Sequence, residues 1–246
     1  ALENDSKIDA VKGDSVYIMN LQLDQREKTP LVRAIDGSEL DQNPFRDFKV
    51  RQAIDHAIDR ETMVEIVLEG LGRPANQMMP PGFFGSSEKI PMPEYNTSKS
   101  KKLLAEAGYV DGFEVDLYCT SDRLPGDGAI CQGLGQMLTQ VGIKTNVNAI
   151  SKTVYFPAYS RQEYSMFMNG WGTLTGEASY TLGGLAHSNN PDLKLGAYNR
   201  LEYKNDDVDR LLQTGAKMMD EDQRRATYEE AMEKVMADKV YISLVQ

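Results

Sequence analysis

The chain has 246 residues, 41% hydrophobic and 26% charged, which is the balance of one large or two small globular domains. Its net charge of −10, with no basic stripe to neutralise phosphates, argues against a nucleic-acid partner. No stretch approaches the roughly 20 consecutive apolar residues that a helix needs to span a membrane.

Residues 14–24 alternate well enough to predict a strand, and a polar loop with Pro30, Gly37 and Pro44 follows. Val50, Ala53, Ile54, Ala57 and Ile58 recur at helical spacing behind Asp47, an N-cap residue type. Asp59 is expected to cap a second helix over 61–69, stopped by Gly70. Residues 72–95, rich in Pro, Gly and Met, read as a long irregular loop, and 98–107 as a short helix ended by Gly108. A strand over 113–118, a helix over 128–141 and a strand over 143–150 make a βαβ unit with parallel strands. Residues 153–162 favour a helix despite Pro157. The apolar run 166–168 predicts a buried strand that stops at Gly170-Trp171-Gly172. Residues 172–204 read as irregular, 206–218 and 222–237 as amphipathic helices, and 240–245 as a last strand. The expected class is α/β, a mixed sheet with flanking helices.

Chemistry is sparse. Two histidines, His56 and His187, stand apart from any serine or cysteine nucleophile pattern and read as surface residues. Phosphate-loop and dinucleotide glycine motifs are absent, and no ligand set for a metal appears, so neither enzyme activity nor a cofactor or metal is expected. Cys119 and Cys131 are compatible with two free buried thiols or with a disulfide; the loop between them folds back in a βαβ unit, which favours the disulfide and an oxidising compartment. That loop, 120–127, follows a parallel strand and precedes a helix N-terminus, a place that favours anions. Arg123 in it is a candidate carboxylate clamp, or else an exposed partner of Asp122 or Asp127. Trp171, the only tryptophan, is either a core plug or the floor of a small-molecule pocket.

Five segments, in order, resemble the dipeptide and oligopeptide-type solute-binding proteins of ABC importers (solute-binding family 5). They are Pro44-Phe45-Arg46-Asp47 through Arg51-Gln52-Ala53-Ile54 with Ala57-Ile58-Asp59-Arg60; Lys102-Leu103-Leu104-Ala105-Glu106-Ala107-Gly108-Tyr109 with Asp111-Gly112-Phe113; Asp122-Arg123 through Gly142-Ile143-Lys144; Gly170-Trp171-Gly172; and Tyr203-Lys204-Asn205 with Asp209-Arg210-Leu211-Leu212, then Asp222 to Glu230. The resemblance implies one lobe, the C-terminal one, of a two-lobed clamshell of the periplasmic-binding-protein (class C) type, with residues 1–246 as a single lobe excised from a longer protein. It implies a periplasmic or otherwise extracytoplasmic monomer that binds a small molecule or peptide and hands it to a membrane permease. Ligand contacts would come from Arg123 and Asp122, from Trp171, and from Gly172, Thr173, Leu174 and Glu177. Peptide-binding relatives often carry an aspartate for the ligand amine where this chain has Leu174, with Glu177 a substitute. Opines, sugars, metal complexes and glutathione are the competing ligands, and a peptide hydrolase is the competing activity.

Overall fold

The computed structural model describes residues 13–246. Among the described residues six strands form one mixed sheet: β1 (Tyr17–Leu23), β2 (Val32–Arg33), β3 (Phe113–Thr120), β4 (Ile143–Ile150), β5 (Met166–Gly172) and β6 (Tyr241–Val245). Strand β3 pairs in parallel with β4 along its whole length. Its other edge is shared, β2 meeting Val115 and β5 meeting Leu117 and Tyr118. Strand β1 lies antiparallel between β5 and β6, so β3, β4, β5 and β6 all run one way and their C-terminal ends share one rim.

Alternation along the strands sorts side chains into two cores, because successive residues point to opposite faces. Met19, Leu21, Leu23, Val115, Leu117, Met166 and Met168 face one side, where they meet α1 (Phe48–His56), α3 (Thr97–Glu106) and α4 (Asp127–Gln140). Phe167 and Tyr241 face the other side, covered by α5 (Lys152–Ser160), α6 (Ala178–Leu185), α7 (Asp206–Gly215) and α8 (Glu221–Asp238). The result is a helix–sheet–helix sandwich, and β3–α4–β4 is the expected crossover.

The helix starts follow capping chemistry. Asp47 accepts from Lys49 N, Asn96 from Lys99 N, Asn205 from Val208 N and Asp220 from Gln223 N, each satisfying a first-turn amide that has no helical partner.

Three expectations are corrected. The helix expected over 61–69 is one turn, α2 (Arg60–Thr62), which widens into a π-turn at Met63–Val67, where three of five residues are β-branched and poor helix formers. The stretch 172–204 contains α6, in which Ala178, Thr181, Leu182, Gly183 and Leu185 are buried; with two adjacent glycines and no charged residue it lacks the amphipathic signature. His187 is buried rather than on the surface. Its Nδ1 donates to Ser188 O at 2.6 Å, and Gln213 Nε2, which only donates, lies 3.0 Å from its Nε2.

Candidate functional site at the strand-end rim

Asp127 builds the loop between β3 and α4. Its buried carboxylate accepts from Thr120 Oγ1 (2.7 Å), from the amides of Arg123 and Leu124 (3.1 Å each) and from Gly128 N (2.8 Å). The anion expected at this helix N-terminus is thus supplied by the chain itself. Outside this knot, Cys119 and Cys131 are joined as a disulfide with Cα atoms 6.3 Å apart. Both cysteines are fully buried, tying the end of β3 to the first turns of α4.

The loop presents Arg123 across the end of β5. Its Nη1 donates to Asn169 Oδ1 (2.6 Å) and to Gly170 O (2.8 Å), and its guanidinium lies 5.1 Å from the Phe156 ring centroid on α5. Its guanidinium does not pair with Asp122 or Asp127. Asp122 instead caps α5, accepting from Lys152 N (2.7 Å) and Ser151 Oγ (3.1 Å). The Lys152 amide, with Ser151 behind it, holds the Asp122 carboxyl below its usual pKa.

Strand β5 does not stop at Gly170 but runs through Gly172. Both glycines lie in close approach to a neighbouring side chain. A Cβ on Gly170 would collide with the Leu124 side chain, and one on Gly172 would sit 2.9 Å from the Tyr17 ring. The left-handed turn comes later, at Gly176, where φ is 71°.

Trp171 is half-buried in an aromatic group. Its ring lies 5.4 Å from Tyr180 and 5.1 Å from Tyr198, centroid to centroid, above Gly184, where a Cβ would press on the indole at 3.4 Å. The indole N–H is buried with no partner among the described residues. Tyr198 is held by its backbone, its N donating to Gly184 O and its O accepting from Tyr159 Oη at 3.0 Å. Burial pushes the Tyr159 phenol up to about 12, so it stays a donor across physiological pH.

The remaining candidates divide. Thr173 is buried, its hydroxyl 3.0 Å from that of Thr181, while Leu174 is 69% exposed at the rim. Glu177 turns to α8 and pairs with Arg224 at 3.3 Å. The structure therefore brings Arg123, Trp171, Gly172 and Leu174 to one rim and commits Asp122, Thr173 and Glu177 to structural bonds. Asn169, Phe156, Tyr180 and Tyr198 complete the wall. Of these only Asn169 carried a sequence signal: period-two spacing puts it on the face of Trp171.

The model of the family described as "Bacterial extracellular solute-binding proteins, family 5 Middle" matches residues 1–192. The chain belongs to that family. It is 31% identical over 210 residues to the glutathione-binding protein GsiB of Salmonella choleraesuis, an alignment covering 83% of this chain and 40% of that protein. The Escherichia coli K12 GsiB gives 32% over 209 residues, with the same shares. The chain thus spans about two-fifths of the length of these curated relatives. Among solved structures it resembles a dipeptide-binding protein of Pseudoalteromonas in complex with Met-Leu (TM-score 0.84, 21% identity, all of this chain and 45% of that one). It also resembles DppA of Helicobacter pylori in complex with the peptide STSA (TM-score 0.82, 26% identity, 99% and 44%). Members of the family matched here are binding proteins, and the mixed sheet with flanking helices is theirs.

Proposed function

We propose that the chain is the C-terminal lobe of an extracytoplasmic solute-binding protein. The whole protein closes on a small peptide or peptide-like solute and delivers it to the permease of an ABC importer. The observation that carries this reading is the rim at the ends of β3 and β5, where the Arg123 guanidinium stands near the Trp171 wall. Only Nη1 of Arg123 bonds to protein among the described residues, which leaves Nε and Nη2 for a ligand carboxylate. Half-exposed Tyr180 and Tyr198 offer apolar area beside it. Binding, not bond-making, is the chemistry this set of groups supports.

With Leu174 where relatives carry an aspartate and Glu177 engaged by Arg224, neither position offers a free acid to a ligand amine. This favours peptide-like solutes whose amine is placed differently, with glutathione, the ligand in the names of the GsiB relatives, a leading candidate. An opine, sugar or metal complex is the alternative. Isothermal titration of this chain with glutathione and with a tripeptide tests the lobe reading. The expected affinity is weak, because the opposing wall belongs to the other lobe, and sub-micromolar binding by this chain alone would overturn it.

A further inference from the structure

Strand β6 is the edge of the sheet, and its outer side is only partly covered. Residues 73–75 pair with its second half, Ala75 N donating to Leu244 O at 3.0 Å. Its first half is met by Arg60, whose Nε donates to Ser243 O at 2.7 Å. Beside that first half opens a cavity of about 310 Å³, between the C-terminal end of α8 and the segment 89–93. Strands β3 and β6 run the same way, so this cavity, near the start of β6, lies at the opposite end of the sheet from Arg123.

The cavity is built around an unbalanced ion cluster. Asp55 and Arg60 are both buried. Arg60 Nη2 lies 2.5 Å from Asp55 Oδ1, and Lys239 Nζ lies 2.5 Å from Asp55 Oδ2. Burial opposes ionisation of Asp55, yet the two cations prevail and hold its carboxyl below the usual pKa. One carboxylate therefore faces two cations. Among the described residues lining the cavity there are also Lys89 and Glu233, and Glu233 is already met by Ser87 Oγ at 2.6 Å and Lys89 Nζ at 3.4 Å. The lining thus has three cations to two anions, inside a chain whose overall charge is −10. Lys89 and Glu233 offset each other, so the excess positive charge lies on Arg60 and Lys239, whose side chains are 3% and 26% exposed, and an entering anion offsets it.

Two further features fit a site. Lys239 sits in the left-handed region, at φ 53°, a conformation that favours glycine, and its long side chain is what reaches the carboxylate. Pro91, Pro93, Ile90 and Met236 add apolar surface to the same lining. We propose that this cavity binds a small organic carboxylate, its head on Lys239 and Arg60 and its apolar body against the prolines.

The test is a titration of the ¹⁵N-labelled chain with benzoate and, separately, with benzamide, its uncharged isostere. Benzoate is expected to give saturable shifts at the amides of Lys239, Tyr241 and Ser243, and benzamide none. Lys239→Gln should weaken benzoate by about ten-fold, as loss of one charge-assisted contact does. Lys89→Gln, on an exposed side chain, should weaken it less, and it decides the matter if Lys239→Gln does not fold. Equal response to benzamide, no saturation in the unmodified chain, or benzoate affinity unchanged in the folded variants would overturn the site.

Discussion

Two loops meet at the rim, and they are held in different ways. The loop after β3 is tied by its own neighbours: Asp127 gathers the amides of Arg123 and Leu124, and Cys119 and Cys131 clasp its base. The loop after β5 is tied from far along the chain. Phe84 N donates to Gly176 O (3.1 Å), Ala178 N donates to Phe84 O (2.9 Å), and Arg224 pairs with Glu177. Phe84 itself lies beneath the guanidinium groups of both Arg224 and Arg225, at 4.7 and 4.3 Å from the ring centroid. A loop closed by local bonds keeps its shape while its own few residues persist. One closed by remote bonds inherits the stability of the elements that reach it.

The largest effect should come from opening the first loop's clasp. Replacing both cysteines, Cys119→Ala with Cys131→Ala, is expected to cost about 3 kcal/mol, the scale for a disulfide closing a loop of this order. Urea unfolding of the double variant measures it. Amide exchange in the native variant should rise in 120–127 and stay unchanged in 173–177; a rise in both would erase the distinction between the loops.

A smaller effect is expected from the remote ties. Gly85 has φ 84°, and a Cβ there would lie 2.7 Å from Tyr228 Cβ and 2.8 Å from Ala178 Cβ. Gly85→Ala should cost about 2 kcal/mol through backbone strain and overpacking. It should alter the emission of Trp171, which precedes the second loop, and leave exchange in 120–127 as it was. Unchanged unfolding in urea would show that 83–86 does not hold the second loop.

The smallest effect concerns Asp122, at the outer margin of the first loop. Its folded-state pKa is depressed by the Lys152 amide, so its contribution is present above the ordinary aspartate value and is lost as pH falls below it. The Lys152 amide signal, followed by NMR from neutral pH downward, should lose protection below about pH 4, the usual aspartate range. Asp122→Asn should flatten that response. A Lys152 amide indifferent to acid would remove Asp122 from the cap.

Legibility in the sequence divides along the same line. The βαβ unit was readable because its apolar periods of two and of 3.6 each run within a single element. The loop bearing Arg123 was readable too, since Pro125, Gly126 and the two cysteines are near neighbours. Its inner geometry was not. Asp127 read as a candidate partner for the Arg123 side chain, whereas it binds the Arg123 backbone and the side chain goes on to Asn169. Helix α6 is not legible because its eight residues hold two adjacent glycines and no charged side chain to mark a polar face. His187 was misread because its partners, Gln213 and Asp209, come more than twenty residues later.

By itself the sequence determined the class of fold, the family register from Pro44 to Glu230, and the prominence of Arg123 and Trp171. These rest on patterns that the local chain imposes whatever lies around it. Only the tertiary structure decided what those residues face. It set Trp171 between Tyr180 and Tyr198, turned Glu177 away to Arg224, and brought Lys239 to Asp55 across 184 positions. Pairings at that distance depend on how layers stack and strands order, and no spacing along the chain encodes them.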